Sequence, residues 1–111
     1  MRTLHSVHNR LAEMLSVSPL LARSLSRSGL FITTTIEKIK LTDAIVKRSL
    51  MEILQHIRRH SDSPKILTID FNLFPFVTEL AQDRSQVVLN QMANSFLKEI
   101  QADIFSAENI V

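Results

Sequence analysis

The side chains in this sequence best suited to chemistry are its four histidines. His5 and His8 lie three residues apart and His56 and His60 four apart, spacings that place both imidazoles of a pair on one helical face. Two such imidazoles can begin a zinc site, but zinc takes at least three protein ligands and usually four. The chain has no cysteine, and neither pair has a third ligand of the usual kind nearby. The expected role of these histidines is therefore solvation or helix capping, with no metal bound. Asp62, Asp70, Glu79 and Asp83 fall at the ends of expected helices, where capping accounts for them. There is no glycine-rich phosphate loop, no nucleophile elbow and no pair of carboxylates at a plausible turn. The expectation is a chain that catalyses nothing and carries no cofactor.

Binding chemistry is better represented. Lys47, Arg48, Arg58, Arg59 and His60 make the longest basic helix surface. Such a surface reads either as a solvated face with cations near a helix C-terminus, or as a dock for an acidic partner or nucleic acid. Arg58 and Arg59 are the stronger candidates, because charges clustered at a helix end protrude. The overall field is weak. Lys plus Arg number 13 against 11 for Asp plus Glu, a net charge of +2, even though the isoelectric point is about 9.4. Six Phe and no Tyr or Trp supply few rings for stacking bases. A nucleic-acid-binding module using Lys47, Arg48, Arg58 and Arg59 is thus the second reading, behind protein binding. Arg23-Ser24-Leu25-Ser26-Arg27-Ser28 also has the form of a basophilic phosphorylation site.

The elements that must position these residues read as helices. A 45% hydrophobic content with one glycine and three prolines suits a helical core better than a turn-rich sheet. Thr42 or Asp43 caps a helix with Val46, Leu50, Ile53, Leu54 and Ile57 on one stripe, ending near His60. Ser63-Pro64 opens a short helix that Asn72 closes in the left-handed conformation. A segment from Phe74-Pro75 follows. Ser85 then caps a last long helix with Leu89, Ala93, Phe96, Leu97 and Ile100 on one face. Earlier, Ser18-Pro19 opens a short helix that Gly29 closes. The next segment, with Thr33-Thr34-Thr35, reads as helix, a short strand being the competing assignment. The longest apolar run falls short of the ~20 residues of a membrane helix. Polar residues interrupt the N-terminal stretch where a signal peptide is continuous. A soluble, cytoplasmic protein is expected.

The two halves repeat. Thr42 falls on Ser85 at a shift of 43 residues, and Val46, Leu50, Ile53, Leu54 and Ile57 fall on Leu89, Ala93, Phe96, Leu97 and Ile100 at the same shift. Shifted back equally, Val7, Leu11 and Met14 fall under Leu50, Leu54 and Ile57. This period matches the ~40–47 residues of HEAT and armadillo repeats. The expected fold is all-α, an armadillo/HEAT-type right-handed superhelical stack forming a single domain. Residues 1–17 would be the last helix of an incomplete repeat, 18–60 and 61–101 two repeats, and 102–111 a cap or tail. Modules of this kind have more apolar face than they can bury alone, so self-association into a homodimer is a second possibility for the exposed ends.

Several segments carry a resemblance to a known family. They are Asp43-Ala44-Ile45-Val46-Lys47-Arg48 leading into Leu50 and Ile53-Leu54, then Ser63-Pro64-Lys65, Asn72-Leu73, Leu80-Ala81-Gln82-Asp83 and the helix from Val87-Val88 to Leu97. Together, across about Ser18 to Ile100, they resemble the armadillo-like region C-terminal to the catalytic domain in fungal septation-initiation and mitotic-exit protein kinases. That likeness implies a non-catalytic, spindle-pole-associated scaffold recruiting a small GTPase, a spindle-pole component or another copy of the kinase. The family's glycine-rich loop, catalytic lysine and Asp-Phe-Gly triplet are missing. In armadillo folds the third helix of each repeat lines the concave groove. The likeness therefore makes Lys47, Met51 and Gln55, then Asn90, Asn94 and Lys98, candidate partner contacts on exposed flanks. Asparagine suits the task, since its amide can bond a bound peptide's backbone from both atoms.

Overall fold

In the computed structural model of the chain, the backbone of residues 2–109 and the side chains of residues 7–103 are described. The described residues form seven helices and no strand: α1 (Arg2–Val17), α2 (Pro19–Ser26), α3 (Gly29–Leu41), α4 (Ala44–Arg59), α5 (Pro64–Asp70), α6 (Leu73–Gln82) and α7 (Val87–Asn109). None is long and apolar enough to cross a membrane.

Local chemistry sets most of the boundaries. The Ser18 hydroxyl oxygen accepts the Leu21 N–H at 3.3 Å, Ser28 accepts that of Phe31 at 3.2 Å, and Asp43 Oδ1 accepts that of Val46 at 3.1 Å. Each bond satisfies an amide that the first turn leaves without a partner. Pro19 and Pro64 occupy the first helical turn of α2 and α5, where a missing N–H costs nothing. Asn72, at φ 51° and ψ 43°, ends α5 and starts α6 in the left-handed region that asparagine tolerates better than most residues.

Two local expectations change and one holds. Gly29 does not close α2: that helix ends at Ser26, and Gly29 is the first residue of α3 behind its Ser28 cap, with no positive φ. Ser85 does not cap α7. Its hydroxyl and amide both donate to Asp83 Oδ1, at 2.6 and 2.9 Å, and α7 starts two residues later. The threonine run is helical. Thr35 is buried, and its hydroxyl donates to the Phe31 carbonyl at 2.8 Å, a bond that removes the polar cost of burying it.

The helices sort into two compact units, one through Asp62 and one from Ser63. In the first, α4 is the pivot, packing on α1, α2 and α3, while α2 also touches α1 and α3. Leu54 and Ile57 of α4 are completely buried, as are Leu15 of α1 and Ile32 of α3. In the second, α7 packs chiefly on α6, and α5 touches both. Leu73, Val77, Phe96 and Ile100 form its inaccessible centre, each contributing on the order of 1.5–3 kcal/mol by leaving water. The pairings among α2, α3 and α4 thus recur among α5, α6 and α7. The starts of α4 and α7 differ by the expected 43 residues. Helix α7 continues through Ala102 to Asn109 with no break for a separate cap; residues 110 and 111 lie outside the described residues.

Candidate interaction surfaces

On α4 the apolar stripe occupies the centre of a wider buried arc. At 100° per residue, the buried positions from Ser49 through Ile53, Val46, Ile57, Leu50 and Leu54 to Arg58 and Met51 cover about 200° of the helix. Two candidate contacts are thereby corrected. Met51 is 1% exposed and Arg58 2%, so neither is on a surface flank. Met51 is apolar and adjoins the stripe, and the long stem of Arg58 can be buried with it. Lys47 and Gln55 are half-buried, and Arg59 is exposed. Arg48 lies 3.9 Å from Glu52 one turn on, an exposed pair of small energetic weight. The basic residues of α4 therefore do not make one continuous face.

On α7 the asparagines are engaged within the chain. Asn90 Nδ2 donates to the carbonyls of Ala81 at 2.6 Å and Asp83 at 3.0 Å, closing the C-terminal end of α6 where carbonyls lack helical partners. Asn94 Nδ2 donates to the Asn90 carbonyl at 2.8 Å and to Asn90 Oδ1 at 3.1 Å. Asn90 is a structural latch between α6 and α7. Asn94 and Lys98 remain exposed.

The histidines are dispersed. His8 is buried in the first unit at 6% exposure, His56 is half-buried, and the side chain of His5 lies outside the described residues. The backbone N–H of His60 caps α4 by donating to the His56 carbonyl at 3.1 Å. No group of three His, Cys, Asp or Glu side chains comes together among the described residues. The serine-arginine segment has structural work. Arg23 of α2 and Arg27, the residue that caps its C-terminus, both bind Asp62, the closest approaches being 2.6 and 3.2 Å. Hydrogen bonds from Arg27 and then Arg23 hold the Asp62 carboxyl below the ordinary carboxylate range. Ser28 is the α3 cap, and Ser24 is exposed.

The first unit also contains a cleft of about 460 Å³. Val7, His8 and Leu11 of α1 form one wall, and Leu30, Phe31, Thr34, Thr35 and Lys38 of α3 the other. Leu50 and Ile53 of α4 form the floor, with Ser28 at one end. Sequence reasoning missed it, although a signal existed. The 43-residue shift places Val7, Leu11 and Met14 under a stripe that α4 buries, yet among the described residues α1 packs only on α2 and α4. Val7 and Met14 are accordingly 55% and 53% exposed.

Comparison of the chain with protein-family models, with curated proteins and with solved structures finds no match.

Proposed function

We propose that the chain is a non-catalytic protein-interaction scaffold built from armadillo/HEAT-type modules. The observation that carries this reading is the recurrence of one three-helix contact pattern, α2–α3–α4 and α5–α6–α7, with pivot helices starting 43 residues apart. A duplicated module that buries one flank of its pivot helix and leaves another exposed is how helical repeats make partner surfaces. The resemblance to the C-terminal regions of septation-initiation and mitotic-exit kinases extends the reading. The partner would then be a protein, a small GTPase or spindle-pole component, met in the cytoplasm, and the chain would recruit it without acting on it.

Capture from cell lysate on the immobilised chain tests this. A protein retained in stoichiometric amount is expected, and Asn94→Arg with Lys98→Glu on the exposed flank of α7 should reduce its retention at least several-fold with helical content unchanged. Retention of nothing, or of nucleic acid alone, sinks the reading. Light scattering of the free chain across a concentration range supplies the homodimer arm: a mass that doubles makes the partner a second copy.

A further inference from the structure

We infer that the cleft between α1 and α3 docks an amphipathic helix whose flanks carry carboxylates; this deepens the scaffold reading and rests on it. The occupant is specified by the internal repeat. On α4 the stripe Leu50, Leu54 and Ile57 is buried, and α3 is a packing neighbour. On α7 the packing neighbour of the same order is α6. Helix α1 carries the equivalent stripe in Val7, Leu11 and Met14, and among the described residues has contacts with α2 and α4 alone. Among the described residues no helix of the α3 and α6 kind lies against that stripe. Apolar anchors at i, i+3, i+4 and i+7 are the pattern that such a groove accepts.

The walls favour side chains of that sort over a small polar ligand. A small-molecule site needs a few polar groups converging on the ligand. Here the Ser28 oxygen already accepts the Phe31 N–H, and the Thr35 hydroxyl already donates to the Phe31 carbonyl. Val7, Leu11, Leu30, Phe31, Leu50 and Ile53 supply an apolar lining. The exposed stripe also runs beyond the cleft to Met14, a length that a helix can cover.

Charge gives the occupant its sign. Lys38 is the one formally charged residue of the lining, and it makes no ion pair among the described residues. The neighbouring Glu37 pairs with Lys40 at 3.6 Å and is not among the lining residues. Arg10, exposed on α1, lies three residues after Val7 and four before Met14, on the stripe's own flank. Cations border both walls and no carboxylate lines them, so a helix flanked by Glu or Asp is complementary.

The test uses the full chain and two labelled 16-residue model helices sharing one leucine stripe, one flanked by Glu and the other by Lys. Fluorescence anisotropy at low salt should show saturable binding of the Glu-flanked peptide, about tenfold tighter than its twin, a ratio in the range that a few exposed charge pairs supply. Lys38→Glu should erase that preference, and Val7→Asp should abolish binding of both peptides; the two positions are exposed, and circular dichroism confirms the fold. Binding of neither peptide, a preference that Lys38→Glu leaves intact, or saturable binding of decanoate in place of the peptides would each overturn the inference. A photo-crosslinker placed at Leu30 and separately at Lys98 separates this from the scaffold reading. Cross-linking to a lysate protein at Lys98 alone, with no peptide bound, removes the groove proposal and leaves the scaffold standing. Loss of capture at both positions removes the scaffold reading as well.

Discussion

Asp62 accepts hydrogen bonds from two guanidiniums, and that fixes how it responds to acid. Its carboxyl is held below the ordinary value of 3.8, so the folded state favours the ionised form. The stabilisation is fully present above that value and is lost as pH falls through the lower folded value. Asp62→Asn is therefore expected to unfold at slightly lower urea than the parent chain at pH 7. The gap should close progressively as pH falls below about 4; a gap constant from pH 7 to pH 2 would contradict the assignment. All three side chains are about half-exposed, so the effect is small and shrinks with added salt. At this scale the sequence showed residue types without their partners. Arg23 and Asp62 lie 39 positions apart, and no local pattern links them.

At the scale of elements, most helix starts depend on interactions within one turn, which is why Asp43 and Ser18 could be read as caps from the chain alone, whereas the Ser28 cap of α3 was hidden by the reading of Gly29 as a helix stop. The start of α7 departs from this rule. Ser85 turns back to Asp83, and the α6–α7 connection is held instead by Asn90, whose amide reaches two carbonyls, nine and seven positions earlier. Asn90→Ala leaves the Ala81 carbonyl without that donor and should lower stability by about 1–2 kcal/mol in urea unfolding. Asn90→Asp should not rescue it, because an ionised carboxylate offers no donor. Parental stability in both variants would show that Asn90 does not hold these helices together.

For the whole molecule, a net charge of +2 gives little field to attract a polyanion. The sequence suggested a local exception on α4, but Arg58 is buried and Arg48 is adjacent to Glu52. Binding to duplex DNA is accordingly expected to be undetectable by filter retention at about 50 mM salt. A steep dependence of log affinity on log salt would instead count several phosphate contacts and revive the nucleic-acid reading. The second unit offers no such cationic cluster on α7, where Lys98 is the single basic residue from Val87 to Asp103.

The sequence by itself determined the all-helical class, the stripes of α4 and α7, the left-handed turn at Asn72 and the 43-residue recurrence. These follow from side-chain periodicity, capping and backbone preference, which act over a few residues and are written in order along the chain. Only the tertiary structure decided which flank of each helix is covered. Met51 and Arg58 lost their expected exposure, and Asn90 its expected freedom, because burial depends on what packs against a helix as well as on its own pattern. The cleft over α4 belongs to the same class of fact: α1 must pack on α4 beside α3 before the space between α1 and α3 exists.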